Sequence, residues 1–189
     1  MIAAGASRRL GQPKQLVTYK GKTLINHTID ILKQSTLDEV IVVLGCEAQK
    51  IGESIQEDVR QVTNEDWASG LGTSIASGIH SLDDSFDGVL ISLVDQYRTN
   101  SDLIYELISM FHNNPNKLVV CRYGNDVVGP PAIFPKRLFS QLAKLEGDRG
   151  AGKVIKMEKN TASDQVIEIY FENGHFDVDT VEDLENLKP

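Results

Sequence analysis

Three short runs of apolar residues, separated by segments with helical spacing, constrain the fold of this chain most strongly. The runs are residues 39–44 (EVIVVL), 88–94 (GVLISLV) and 117–121 (KLVVC). Short runs rich in β-branched and aliphatic residues are typical of strands buried on both faces, as in parallel sheets. Parallel strands need long crossover connections, and the intervening segments have the apolar spacing of helices. The pattern therefore predicts an α/β fold of three layers, with helices on both faces of a sheet.

The remaining segments continue this alternation. Apolar residues at helical spacing predict helices, and β-branched runs bounded by turn residues predict strands. Thr180 and Asp183 have the spacing of a capping box, which marks the start of the last helix. The predicted helices are 24–32, 48–55, 70–82, 101–113, 135–145, 152–159 and 180–187, and the further strands are 59–63 and 165–171.

Three stretches depart from the simple pattern. Residues 129–131 (GPP) disfavour a central strand, so residues 132–134 are predicted to return as an antiparallel strand at the edge of a mostly parallel sheet. Residues 172–174 (ENG) are predicted to form a hairpin turn. Residues 1–3 run directly into a loop, and we expect them to be the end of a truncated first strand. Residues 1–189 are predicted to form a single domain.

Composition limits the class of function. The chain has 19 basic and 27 acidic residues, a net charge of −8, which disfavours binding to nucleic acid or to an anionic membrane. No apolar stretch approaches the roughly 18 residues of a membrane span. Cys46 and Cys121 lie in apolar runs without CxxC spacing, which is typical of reduced thiols in the cytoplasm. We therefore expect a cytoplasmic protein that acts on small molecules.

Basic charge is concentrated near the start of the chain. The first 22 residues hold five basic side chains and no acidic one. Residues 3–14 (AAGASRRLGQPK) leave a strand end and are rich in small residues, whose N–H groups can approach an anion, while Arg8 and Lys14 add full charges. The segment matches neither a Walker loop nor GxGxxG. A polyphosphate site and an ordinary solvated basic loop fit this pattern equally well.

Three aspartates are candidates for metal binding. Asp95 directly follows the apolar run 88–94, so its carboxylate is expected at the carboxyl end of a central strand, where open α/β sheets bind ligands. Asp177 and Asp179 lie on one side of an extended segment before the last helix. The alternatives are a plain turn for Asp95 and helix capping for the pair. Because Mg²⁺ takes one or two protein carboxylates together with water and phosphate, Asp95 and Asp179 are the predicted ligands and Asp177 is the substitute for Asp179.

These pieces together resemble the MobA-like nucleotidyltransferases of molybdenum cofactor biosynthesis. Residues 3–16 (AAGASRRLGQPKQL) are similar to the signature AAGxSxRxGxxKxL of that family. Similar segments recur along the chain, and two of them resemble the cytidylyltransferase branch. They are residues 64–74 (NEDWASGLGTS), 90–96 (LISLVDQ) and 176–187 (FDVDTVEDLENL), and, for the branch, 129–134 (GPPAIF) and 145–155 (LEGDRGAGKVI). Tyr97 departs from the usual proline, and Gly152 from the common arginine.

The resemblance implies a Rossmann-like nucleotidyltransferase fold and a reaction. CMP would pass from CTP to the terminal phosphate of molybdopterin, with release of pyrophosphate, and a molybdoenzyme would receive the product. Catalysis would depend on positioning and on charge neutralisation by Mg²⁺, held by Asp95 and Asp179, and by Arg8 and Lys14. In the family an A-A-G opening, as at Ala3 to Gly5, goes with cytidine, whereas A-G-G goes with guanosine.

The resemblance also assigns residues to two binding regions. The nucleotide set is Ala3, Ala4, Gly5, Ala6, Ser7, Arg8, Lys14, Asn64, Gly70, Gly72 and Ser74, and the acceptor set is Gly129, Pro131, Gly147, Asp148 and Gly150. Two alternative functions stay open. One is a nucleotidyltransferase for a sugar or polyol phosphate, and the other is an accessory protein that binds nucleotide or cofactor without turnover.

Overall fold

Helices and strands alternate along the chain largely as the apolar pattern predicts. The computed structural model describes residues 1–124 and 127–187. Helix α4 has the predicted bounds, and its start is fixed by Asn100, whose side-chain oxygen accepts the N–H of Leu103 at 2.9 Å. The helices are α1 Leu24–Lys33, α2 Ala48–Glu53, α3 Leu71–His80, α4 Ser101–Asn113, α5 Phe139–Leu142 and α6 Gly152–Thr161. The strands are β1 Ile2–Ala3, β2 Thr18–Tyr19, β3 Lys22–Thr23, β4 Ile41–Leu44, β5 Arg60–Thr63, β6 Gly88–Ile91, β7 Leu118–Tyr123, β8 Val127–Pro135 and β9 Val166–Tyr170.

Seven of these strands line up in the order β5-β4-β1-β6-β8-β7-β9. Strands β1, β4 and β5 are parallel to each other, as are β7 and β9. The two halves of the sheet join where the N–H of Ile2 donates to the carbonyl of Ser92 at 2.9 Å, beside a parallel bridge from Ile2 to Leu93. The carboxyl ends of β1 and of the chain after β6 therefore meet at one edge of the sheet.

The antiparallel strand β8 lies inside the sheet, so the predicted edge position was wrong. Strand β8 pairs with β6 on one side and with β7 on the other, antiparallel to both. Its register with β7 shifts beside Pro130 and Pro131, and its pairing with β6 covers only Ala132 to Pro135. Both prolines thus lie at an irregularity and beyond the end of β6. Proline is excluded only where its missing N–H would be needed by a neighbouring strand.

The sheet has a buried cluster on each face, which confirms the predicted three-layer α/β class. Successive strand residues alternate between the clusters, because neighbouring side chains in a strand point to opposite faces. Val42 and Leu44 pack with α1 and α4, whereas Val43 packs with α3, α5 and α6. Strands with both faces covered in this way account for the continuous apolar runs in the sequence.

Three local features differ from or add to the sequence predictions. Residues Glu172–His175 form a 3-10 turn and not a hairpin, since no strand follows them in the described chain. The last helix, Glu182–Leu187, is also of the 3-10 type. Its predicted capping box is present, because the carboxylate of Asp183 accepts the N–H of Thr180 at 2.7 Å and the N–H of Asp183 donates to the Thr180 hydroxyl at 3.4 Å. Strands β2 and β3 form a hairpin that the sequence analysis missed.

None of the described helices is both long enough and apolar enough to span a membrane.

Candidate active site

Lys14 joins two carboxylates that are far apart in the sequence. Its ammonium donates to Asp95 Oδ2 at 2.8 Å and to Asp179 Oδ1 at 2.5 Å. The side chain of Lys14 is 11% exposed and that of Asp95 is 18% exposed, so this group is largely shielded from solvent. Lys14 comes from the loop after β1, Asp95 follows the strand segment beyond β6, and Asp179 precedes the last helix. The fold therefore brings the predicted catalytic lysine and both predicted metal ligands to one point.

The acidic surroundings keep Lys14 protonated. Burial by itself lowers the pKa of Lys14, but the charge of Asp95 and the hydrogen bonds to both carboxylates outweigh it, and the pKa lies above the usual value. Asp177 lies close to Lys14 and its two partners. Burial, together with the charges of Asp95 and Asp179, raises the pKa of Asp177. Lys14 thus lies among three carboxylates, those of Asp95, Asp177 and Asp179, which are called the acidic group below.

The carboxylates at this point fit a hard divalent cation such as Mg²⁺. Asp95 Oδ1 is buried and has no hydrogen-bond partner among the described residues. Asp95 Oδ2 and Asp179 Oδ1 already hold one cation, the ammonium of Lys14. No group of three or more His, Cys, Asp or Glu side chains in the described residues is arranged to hold a metal by itself. A Mg²⁺ ion here would need water and substrate phosphate to complete its coordination, as is usual for this ion.

Gln15 was not predicted as a site residue, but it fixes the backbone of the opening loop, which is residues 3–14. Its fully buried side chain donates from Nε2 to the carbonyls of Ala3 at 2.7 Å and Gly5 at 3.0 Å, on either side of Ala4. The hydroxyl of Ser7 accepts the N–H of Lys14 at 3.0 Å, which closes the loop. The one available signal was an amide side chain followed by apolar residues, since a buried polar side chain needs partners.

The two arginines of the loop have different positions. Arg9 donates to Asp179 Oδ2 at 2.6 Å, so it joins the acidic group from its solvent side. Arg8, the predicted catalytic arginine, has no ion-pair partner among the described residues and lines a neighbouring cleft. The signature of the resembled family places its arginine at Arg9 when it is counted from Gly5. Arg9 is therefore a functional candidate that the sequence analysis did not name.

A cleft of about 380 Å³ opens beside this loop. One wall is the loop itself, from Ala4 to Arg8, and the other comes from the start of α3 and the turn before it. The opposite wall consists of Trp67, Ala68, Gly70, Leu71 and Ser74, and Asp148 joins it from the separate turn Gly147–Arg149. Most of the predicted nucleotide residues are thereby brought together around one space.

Asn64 and Gly72 do not line this cleft, but they hold the elements that form its wall. Asn64 Nδ2 donates to the hydroxyls of Thr73 and Ser74, both at 3.0 Å, and its Oδ1 accepts the N–H of Asp66 at 3.1 Å. The amide is thus fully engaged within the protein. A Cβ at Gly72 would lie 2.8 Å from the backbone of Glu146, so only glycine allows this approach.

The predicted acceptor residues fall into two places. Gly147, Asp148 and Gly150 pack against the start of α3, and Asp148 lines the same cleft as the opening loop. Gly129 and Pro131 lie in β8 and are outside that cleft. They are held near Asp95, because Gln96 Nε2 donates to the carbonyl of Pro130 at 2.8 Å. The five predicted acceptor residues therefore lie in two different regions of the structure.

Replacing Gly70 by alanine is expected to weaken nucleotide binding at least tenfold. Gly70 has a φ of +115°, and a Cβ there would collide with the backbone of Gly147 and lie 2.6 Å from the carboxylate of Asp148. Strain of this kind costs about 1–3 kcal/mol, which the chain can relieve only by moving the cleft wall. Titration calorimetry with CTP and Mg²⁺ measures the change.

Gly152→Ala is the matched control for Gly70→Ala. Gly152 lies in α6, and a Cβ there meets nothing within 4 Å. Its CTP affinity and melting temperature should equal those of the wild type or exceed them, since alanine favours a helix. Equal CTP affinity in both variants would contradict the assignment of this cleft wall to nucleotide binding.

Comparison of the sequence with models of known protein families identifies the family of this chain. The family model for the MobA-like NTP transferase domain matches residues 1–165. The chain belongs to this family. Membership confirms the resemblance drawn from the sequence and identifies the protein as a MobA-like nucleotidyltransferase.

Three relatives that match this chain over nearly their full length are named for three different functions. The chain is 30% identical to nicotine blue oxidoreductase of Paenarthrobacter nicotinovorans over 99% of its own length and 94% of that protein. It is 26% identical to the purine catabolism protein PucB of Bacillus subtilis, over 99% and 93% of the two chains. It is 22% identical to a probable molybdenum cofactor guanylyltransferase of Thermococcus sibiricus, over 100% and 95%.

Solved structures of mycobacterial proteins superimpose over the whole chain. A homologue of Rv0371c from Mycobacterium sp. strain JC1 is 31% identical, with a TM-score of 0.84 over 99% of this chain and 92% of that one. The manganese complex of Rv0371c from Mycobacterium tuberculosis is 28% identical, with a TM-score of 0.79 over 98% and 94%. A protein with this fold and moderate identity thus binds a divalent metal, which is consistent with the carboxylate chemistry here.

Proposed function

We propose that this MobA-like nucleotidyltransferase transfers CMP from CTP to the terminal phosphate of molybdopterin and releases pyrophosphate. The observation that supports transfer most strongly is the contact of Lys14 with both Asp95 and Asp179 beside the loop cleft. A protein that only binds a nucleotide has no need for a buried lysine between two carboxylates. The two carboxylates would hold Mg²⁺, whose charge offsets that of a triphosphate during the reaction, and Lys14 keeps the carboxylates in place.

The proposed reaction asks for positioning and little covalent chemistry. An oxygen of the acceptor phosphate attacks the α-phosphorus of CTP, the bond from that phosphorus to the bridging oxygen of the β-phosphate breaks, and pyrophosphate leaves. Mg²⁺, which Asp95 and Asp179 would hold, supplies charge neutralisation when bound. The loop N–H groups, Arg8 and Lys14 face the triphosphate, with Lys14 toward its outer phosphates, and Lys14 also offsets the carboxylates. Catalysis is thus electrostatic.

The position of each wall supports an assignment of the two substrates. CTP would lie in the cleft between the loop and the start of α3, with Ser74 and Asp148 toward the nucleoside. We place Asp148 on the nucleotide side for this reason. The acceptor would approach from β8, where Gln96 holds the segment of Gly129 and Pro131 close to Asp95. In-line attack on the α-phosphorus needs the acceptor oxygen opposite the bond to the leaving pyrophosphate, and an approach from β8 would allow this.

Pyrophosphate release separates the three candidate functions. The protein is incubated with Mg²⁺ and each nucleoside triphosphate, in turn with molybdopterin, with a set of sugar and polyol phosphates, and without acceptor. Release with CTP and molybdopterin alone is the expected result. Release only with a sugar or polyol phosphate would favour the first alternative. Tight binding of CTP without release under any condition would favour the accessory protein.

CTP is expected to bind at least tenfold more tightly than GTP. Ala4 lines the cleft and is 3% exposed, and its backbone is held between the two carbonyls that Gln15 engages. A rigid backbone edge that matches cytosine leaves polar groups unpaired when guanine enters, at about 1–3 kcal/mol for each group. Thermal-shift titrations with Mg²⁺ measure the preference, because a ligand of the folded state raises the melting temperature according to its affinity.

Ala4→Gly tests the contribution of the Ala4 side chain to this preference. Because removing the methyl group leaves space for a larger purine, it should narrow the difference in affinity between CTP and GTP while leaving the binding of CMP unchanged. If GTP stabilises the wild-type protein as much as CTP at equal concentration, cytidylyl transfer fails as a proposal, whereas nucleotidyl transfer stands.

A further inference from the structure

A second and larger cleft, of about 1100 Å³, lies beside the acidic group. Its walls continue from segments that carry the site residues, because Gln12 and Leu16 flank Lys14, and Tyr97 and Arg98 follow Asp95 closely in the chain. Gln12 is two residues from Lys14, so the two Cα atoms lie within about 7 Å of each other. No residue lines both this cleft and the smaller cleft beside the opening loop, where CTP is proposed to bind. The two spaces are therefore distinct neighbours of one reaction centre.

The charge of the second cleft is opposite to that of the chain. No Asp or Glu is among its described lining residues, although the chain has 27 acidic residues against 19 basic ones. Two basic side chains, Lys20 and Arg98, line it. Neither forms an ion pair with any described residue. A concave surface lined by one sign of charge concentrates ions of the opposite sign.

Arg98 is held in place without neutralisation. Its guanidinium donates to two uncharged oxygens, the Tyr97 hydroxyl and the Asn173 side-chain carbonyl, each at 3.3 Å. It lies 3.6 Å from the ring centroid of Phe176, so one face of the guanidinium is stacked. A guanidinium has five N–H donors, and these two bonds leave donors for an anion.

Aromatic rings form another part of the wall. The ring of Tyr19 meets those of His27 and Tyr97 edge to face, with centroids 5.0 Å and 5.1 Å apart. Tyr97 is only 3% exposed, so it serves to support its neighbours. Rings fixed in this way offer a preformed surface to a flat ligand, at little cost in conformational entropy.

We propose that this cleft binds an organic anion that carries a planar ring. The free donors of Arg98 contact the anionic group, and the charge of Lys20 adds to the attraction. The ring packs beside Tyr19 and His27, next to the Lys20 ammonium, which lies 5.0 Å from the Tyr19 ring centroid. Binding requires no nucleotide, because the two clefts share no lining residue. The proposal is therefore independent of the nucleotidyl transfer proposed above.

The test measures binding of 1-naphthyl phosphate to the full chain by titration calorimetry, with inorganic phosphate and 1-naphthol as partial probes. The naphthyl phosphate should bind at least tenfold more tightly than either partial probe. Saturating CTP with Mg²⁺ should leave that affinity unchanged. Arg98→Gln and, separately, Lys20→Gln should each weaken it at least tenfold.

Arg122→Gln is the matched control for Arg98→Gln. Arg122 also stacks on a tyrosine, with its guanidinium 5.1 Å from the ring centroid of Tyr170, but it forms an ion pair with Glu168 at 3.3 Å and is outside the cleft. Its variant should bind the probe as the wild type does, and melting curves for all variants report folding. Three results would each overturn the proposal: no binding of the probe to the wild type, displacement of the probe by CTP, or wild-type affinity for the probe in folded Arg98→Gln and Lys20→Gln.

Discussion

Asp95→Asn is expected to lower turnover by at least about 10²–10³, the amount that one preorganised electrostatic group supplies. Asparagine keeps the size of the side chain and removes the charge that holds Lys14 and that would hold Mg²⁺. Asp95 Oδ1 is buried without a described partner, so the protein itself does not use this oxygen for stability. Steady-state pyrophosphate release measures the effect, and Asp179→Asn should show a loss of the same order.

Two further variants make this result specific. Asp177→Asn should retain most of the activity if Asp179 is the second ligand, and it should lose activity in place of Asp179→Asn if the assignments are exchanged. Asp164 is exposed and distant in sequence from the acidic group, so Asp164→Asn serves as the surface control. Wild-type turnover in both Asp95→Asn and Asp179→Asn would rule out the metal assignment.

Lys14→Met is expected to weaken CTP binding about 10–100-fold while CMP binding changes little. Methionine keeps an apolar chain of similar length, but Asp95 and Asp179 then lose the ammonium that lies 2.8 Å and 2.5 Å from them. A triphosphate would meet two uncompensated carboxylates, and it also loses a charge-assisted contact worth about 1.5–3 kcal/mol. A monophosphate, with less charge and no outer phosphates, is affected less.

Calorimetry with CTP and CMP on the same protein samples gives the ratio directly. Removing one partner of a largely buried ion pair also destabilises the fold. The double variant Lys14→Met with Asp95→Asn reduces that penalty, and it should be more stable than Lys14→Met alone. Equal weakening of CTP and CMP in the single variant would place Lys14 away from the outer phosphates.

The repeating elements of the fold were predictable because each depends on local pattern. Helix α4 begins at an Asn cap and ends at Asn113, and both limits follow from side chains next to it in the chain. The runs that became β4 and β7 are apolar on both sides because both faces of the sheet are covered. The position of β8 could not be read in this way, since pairing partners are chosen by the whole sheet. The prolines that suggested an edge lie beyond the stretch that pairs with β6 and at an irregularity in the pairing with β7.

The site was predictable where a side chain's chemistry matched a distinctive motif. Lys14, Asp95 and Asp179 were named from charge, position and family signature, and the structure brings these three together. Gln15 was missed because its role depends on carbonyls that the fold brings within reach. Arg8 and Arg9 are adjacent in the sequence, so pattern alone did not show which of them reaches Asp179.

By itself the sequence determined the α/β class, most of the helices and strands, and the candidate residues Lys14, Asp95 and Asp179. These follow from apolar periodicity and from the charge of neighbouring residues, which act over a few positions of the chain. Only the tertiary structure decided that Asp148 shares a cleft with the opening loop and that Arg98 stands without a carboxylate in another cleft. The physical reason is that hydrogen bonds and screened charges act over a few ångströms, and which distant residues come that close is set by packing of the whole chain.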